Sequence, residues 1–83
     1  MKKEEIYKGI EMCLNNIGIM VEGNIEDRFL DQDIEDSLTY VSFIVELEEK
    51  FCMSIQDEYL QANILESYGD VANMIILTID ETD

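Results

Sequence analysis

Ser37 stands between Asp36 and Leu38, and the apolar-acidic run from Tyr40 to Phe51 follows almost at once. This spacing places one hydroxyl where a loop becomes a helix, beside a carboxylate. The chain contains no histidine. Ser-His-Asp and Cys-His activation in cis, and H-E-x-x-H zinc hydrolysis, are therefore closed to it. A serine so placed is a poor nucleophile for the chain's own catalysis, but it is a position at which another enzyme can attach a group. Two local roles compete here. Ser37 can be the helix N-cap, or Asp36 can take the cap and leave the hydroxyl free. A helix N-terminus also suits a phosphate-bearing group, because unpaired N–H donors and the helix dipole point at it. The overall charge of the chain opposes an anion, so such a group would be held covalently rather than by affinity.

Other chemistries find little support. Gly9, Gly18, Gly23 and Gly69 are scattered and make no dinucleotide or phosphate-binding loop. Carboxylate pairs are abundant, but with twenty acids such pairs arise by chance. Asp31-Gln32-Asp33-Ile34-Glu35 resembles the start of an EF-hand loop, yet Asp36 and Ser42 occupy the positions that need glycine and a bidentate glutamate. Cys13 and Cys52 form no C-x-x-C and are expected to be small core thiols. The chain is expected not to be an enzyme, with no metal site.

Eighty-three residues are expected to form one domain, residues 1–83. A chain this short buries only about 60–65% of its unfolded surface, so the core should be single and stability modest. Five basic and twenty acidic side chains give a formal charge of −15. Such a surface repels phosphate backbones and anionic lipid, so nucleic acid and membranes are unsuited as partners. It should attract proteins carrying basic docking patches. The sequence shows no signal-peptide apolar region and no membrane-spanning run, which leaves the cytoplasm as the default compartment.

The elements that must position Ser37 follow from periodicity. Ile6, Ile10, Cys13, Leu14 and Ile17 share one helical face, which predicts a first helix from Lys3 to about Ile17. Residues 18–36 read as a long connection, with Phe29 and Leu30 expected to pin it to the core. A second helix should run from Ser37 or Leu38 to Phe51, burying Tyr40, Phe43, Ile44, Leu47 and Phe51. Val41 and Val45 lie on a neighbouring face, rimmed by Glu46, Glu48 and Glu49. Either they too pack inward, or they form a docking surface with an apolar centre and acidic edge. Asp57 to Leu60 can start a short third helix. Ser67-Tyr68-Gly69-Asp70 has the form of a capping box opening a fourth, with Val71, Ile75 and Ile79 inward. Ile75 to Ile79 is β-branched enough for a strand, but no partner strand is visible, so helix is predicted.

With these segments in place, the chain resembles the acyl carrier protein family of phosphopantetheine-binding domains. Asp36-Ser37-Leu38, Glu48-Glu49-Lys50-Phe51 and Ile55-Gln56-Asp57-Glu58 all stand in that family's register, over nearly the whole chain. The resemblance implies an all-α, small four-helix bundle of the acyl-carrier type with a long loop between helices one and two. It implies that Ser37 carries 4′-phosphopantetheine through a phosphodiester, added from coenzyme A by a phosphopantetheinyl transferase with magnesium. Asp36 matches the family's acidic residue that contacts the transferase and its metal. The attached thiol would hold an acyl or aminoacyl group as a thioester. Leu38, Val41, Val45 and Glu48 match positions on helix two that partner enzymes, the loading and processing enzymes, recognise. Phe29, Leu47, Ile55, Leu60 and Val71 fall where the family lines its core or an acyl cavity.

The sequence departs from the family pattern at Asp33-Ile34, where Leu-Gly is usual, and at Gln56, where proline is usual. Ser42 replaces a glutamate common in fatty-acid carriers, and about two extra residues precede helix four. These departures point away from housekeeping fatty-acid synthesis and towards a dedicated carrier in a specialised biosynthetic pathway. The alternative expectation is an unmodified acidic helical adaptor with a carrier-like fold, which uses helix two only to bind a partner.

Overall fold

Ile6, Ile10, Cys13 and Leu14 lie buried along one face of α1, Lys3–Asn16, as their spacing predicts. The computed structural model describes residues 2–60 and 65–81. Its remaining helices are α2, Leu30–Asp33; α3, Ser37–Phe51; and α4, Tyr68–Glu81. Short 3-10 turns span Ile25–Asp27 and Asp57–Leu60. The described residues thus form a small all-α bundle in which α1 packs against both α3 and α4. None of their helices is long and apolar enough to cross a membrane.

Ile75 to Ile79 is helical, because the α4 face that holds Val71, Ala72, Met74 and Ile75 is buried against the rest of the bundle. The capping box that opens α4 is formed as predicted. Asp70 N–H donates to Ser67 Oγ at 3.1 Å, and Ser67 N–H donates to Asp70 Oδ2 at 3.2 Å. Two backbone donors are satisfied reciprocally, so the helix starts where the sequence says it should.

The close approach of α1 and α3 depends on a glycine. A Cβ on Gly9 would lie 2.5 Å from Phe51 Cζ, so the absent side chain makes room for the ring. Phe51, expected among the buried residues of its helix, is only partly buried and packs against the core from outside.

The connection from 18 to 36 is more ordered than a bare loop. Ile25, Leu30 and Ile34 are all buried, and they carry the two short helical segments into the core. The expectation for Phe29 requires correction. Its backbone is extended at the entry to α2 (φ −102°, ψ 150°), where successive side chains point opposite ways. Leu30 takes the inward direction, leaving Phe29 52% exposed.

Backbone bonds tie this connection to the start of α4. Leu30 N–H donates to the Glu66 carbonyl at 2.8 Å, and Tyr68 N–H donates to the Arg28 carbonyl at 3.3 Å. They flank an isolated antiparallel bridge between Phe29 and Ser67. A side-chain network locks the same junction. Arg28 grips Asp33 through Nη2–Oδ1 at 2.8 Å and Nε–Oδ2 at 3.1 Å. The Tyr68 hydroxyl donates to Asp33 Oδ2 at 2.9 Å. Burial, reinforced by the neighbouring Asp33 carboxylate, pushes the Tyr68 phenol well above its ordinary range and keeps it a donor. Its fully buried ring meets Phe43 edge-on, with centroids 6.3 Å apart.

Candidate functional site

Ser37 is the first residue of α3, and its side chain is exposed. Asp36 is extended (φ −123°, ψ 161°), and its Oδ1 accepts the Thr39 N–H at 3.0 Å. Of the two possible caps the structure selects Asp36, so the Ser37 hydroxyl is not spent on closing the helix. Bonds from the Thr39 side chain and backbone hold the Asp36 carboxyl below the usual carboxylate range. Glu35, Asp36 and Glu66 make the surroundings of Ser37 acidic, and the helix end offsets part of that charge. The N-terminus of a fifteen-residue helix carries partial positive charge at this point.

Beside Ser37 opens a groove of about 550 Å³. That volume falls within the about 300–1,000 Å³ typical of small-molecule sites. Its floor consists of the buried residues Leu30, Ile34, Tyr40 and Leu65, with Phe29 at one edge. Its rim carries Asp31, Glu35, Asp36 and Glu66, all exposed, together with Ser37. The short α2 helix forms one wall, and the Arg28–Asp33–Tyr68 network and the Leu30–Glu66 backbone bond hold that wall in place. Tyr40 offers the groove its ring, because its hydroxyl donates a hydrogen bond to the Tyr59 carbonyl.

Leu38, Val41 and Val45 recur at i, i+3 and i+7 along the outer face of α3. They are 79%, 42% and 44% exposed, so neither valine is enclosed by the core. Glu48 belongs to this part of the helix but is half-buried, and its Oε2 accepts the Ile55 N–H at 2.9 Å. One oxygen of that carboxylate therefore fastens the chain beyond α3. Glu46 is similarly engaged by Asn16 Nδ2 at 2.9 Å, whereas Glu49 is exposed. The structure thus gathers Ser37, Asp36 and the groove at one end of α3 and sets Val41 and Val45 along its flank.

Among the positions the family resemblance placed in the core or a cavity, Leu47, Ile55 and Val71 are buried. Phe29 is at the groove edge, and the side chain of Leu60 lies outside the described residues. Cys13 is a core thiol as expected, and burial, with Glu46 nearby, pushes it up to about 11. Cys52 is not a core residue. It is exposed and ends α3 in the left-handed conformation at φ 52°.

Sequence reasoning missed Leu65, Glu66, Ile34 and Glu35 as groove residues, and it missed the Arg28–Asp33–Tyr68 network altogether. Leu65 and Glu66 are far from Ser37 in the chain, and no local pattern advertises their approach. No family model, curated protein or solved structure matches this chain.

Proposed function

We propose that the chain is a discrete acyl or peptidyl carrier protein that bears 4′-phosphopantetheine on Ser37. The observation that carries this is the exposed Ser37 at the first position of α3, relieved of capping by Asp36 and bordering the groove. In the modification the Ser37 oxygen attacks the pantetheine-side phosphorus of coenzyme A. A new P–O bond forms, the pyrophosphate linkage breaks, and adenosine bisphosphate leaves. The hydroxyl proton passes to a base on the transferase.

The residues present suit such a group. The hydroxyl is accessible, the helix dipole favours the phosphodiester, and Asp36 stands beside it to face a transferase and its magnesium. Once attached, the prosthetic thiol supplies a thioester linkage for an acyl or aminoacyl group. Leu38, Val41 and Val45 provide the apolar centre of a docking face for loading and processing enzymes. The surrounding acids steer partners whose docking patches are basic. We place the carrier in a specialised biosynthetic pathway, on the departures at Asp33-Ile34, Ser42 and Gln56.

Intact mass after incubation with coenzyme A, magnesium and a broad-specificity phosphopantetheinyl transferase tests this directly. The expected result is one added phosphopantetheine, lost in Ser37→Ala. No mass gain, or a gain that survives that substitution, would sink the carrier proposal. The exposed α3 strip would serve an unmodified adaptor equally well, so no mass gain together with stable partner binding through Val41 and Val45 would establish the adaptor instead.

A further inference from the structure

The groove beside Ser37 joins an apolar base to a charged lining. Everything at its base is apolar, namely Leu30, Ile34, Tyr40 and Leu65, and each of these is buried. Its charged lining is of one sign: Asp31, Glu35, Asp36 and Glu66. No basic side chain lines it among the described residues. The nearest candidate in sequence, Arg28, is already paired with Asp33 outside the lining. Asp36 is partly satisfied by Thr39, whereas Glu35 and Glu66 are exposed carboxylates beside an apolar floor.

A molecule seated here gains from burying a short apolar stem. At the mouth it meets negative potential, which low-dielectric walls focus. An anionic end group would be repelled, a neutral one would be indifferent, and a protonated amine would be attracted.

We propose that this groove selects, among thioester-bound groups, those with an apolar stem ending in a free amine. The cargo class is thus an amino-bearing acyl group rather than a simple fatty acyl or dicarboxylic one. This rests on the carrier function proposed for Ser37. The stem lies on Leu30, Ile34, Tyr40 and Leu65, and the ammonium is held at the rim by Glu35 and Glu66. No bond is made or broken in the groove. Its effect is to favour retention of one end-group charge over another.

The test compares ω-aminohexanoyl and heptanoyl groups, which match in length and differ in the terminal charge, with pimeloyl as the anionic control. Each is loaded onto Ser37 from its coenzyme A thioester, and the amides of Leu30, Ile34, Tyr40 and Leu65 are followed by NMR. In parallel, the free pantetheine thioesters are titrated into the unmodified full-length chain. If Ser37 accepts no prosthetic group, the carrier proposal fails there, while the titration still reads the groove. The expected result is that the aminohexanoyl group shifts these amides most, that the shifts shrink with salt, and that pimeloyl produces none. Glu35→Gln and Glu66→Gln each weaken the aminohexanoyl interaction by about two- to fivefold, the range of an exposed ion pair. Both glutamates are exposed, and the groove bonds of Glu66 are made by its backbone, so neither substitution threatens the fold. Equal shifts from heptanoyl, no shifts from aminohexanoyl, or indifference to both substitutions overturns the proposal.

Discussion

Tyr68→Phe removes one oxygen from the junction that holds the groove wall, and the structure says what that should cost. The ring is fully buried and meets Phe43 edge-on, and phenylalanine keeps that contact. What is lost is the 2.9 Å hydrogen bond to Asp33 Oδ2. A hydrogen bond to a charged acceptor contributes about 1.5–3 kcal/mol. Asp33 keeps both contacts with Arg28, so it is not left unpaired, and the expected loss is at the low end, about 1.5 kcal/mol. In a domain of this size that lowers the melting temperature by about 6–12 °C. Urea unfolding followed by circular dichroism should show a lower midpoint with an unchanged slope.

A double-mutant cycle with Asp33→Ala isolates the pair. A coupling of about 1–2 kcal/mol is expected for residues in direct contact. Amides of residues 29–35 should also exchange faster in Tyr68→Phe, because α2 loses an anchor to α4. A stability change within about 0.5 kcal/mol of zero, the range of an ordinary surface substitution, refutes the reasoning. So does a coupling indistinguishable from zero.

Three further outcomes follow from the same geometry. Gly9→Ala adds a methyl 2.5 Å from Phe51 Cζ, so the ring must shift, and overpacking of about 2 kcal/mol, the middle of the usual range, outweighs the helix-propensity gain of about 1 kcal/mol. The melting temperature should fall and recover in Gly9→Ala/Phe51→Leu, whereas a more stable single variant would show that the ring moves freely. Burial raises the phenols of Tyr7, Tyr40 and Tyr68 above 10.0 in the folded chain. The unfolded chain therefore loses those protons first, so their contribution is complete below about pH 10 and declines as pH rises further. Urea midpoints across that window should fall, less steeply in Tyr68→Phe, and a midpoint that holds steady would contradict this. Finally, Val41→Glu/Val45→Glu should leave stability within about 1 kcal/mol of the parent, since both sites are exposed. Under the carrier function proposed for Ser37, the same variant should cut kcat/KM for transferase modification by about tenfold or more, and unchanged kinetics would remove this face from the proposed docking surface.

Much of the architecture was legible in the residues because it is written in local pattern. The α1 stripe, the α3 stripe from Tyr40 to Leu47, and the Ser67–Asp70 capping box each depend on neighbours within one or two turns. The exposed serine at the head of α3 was legible only as one of two alternatives. Asp36 and Ser37 are both good caps, and sequence spacing cannot say which oxygen reaches the Thr39 N–H. Phe29 was misplaced because hydrophobicity names a residue that can be buried, while backbone direction decides which of two adjacent ones is.

Ser37's neighbourhood, the absence of a histidine to activate it and the acidity of the chain were determined by sequence alone, since they need only residue identity and order. The groove was decided by tertiary structure. It exists because Leu30 and Glu66, thirty-six residues apart, share a backbone hydrogen bond, and because Tyr68 reaches Asp33 across a similar separation. Such pairings depend on how α2 docks against the start of α4, which is settled by packing over the whole core and is encoded in no single stretch of the chain.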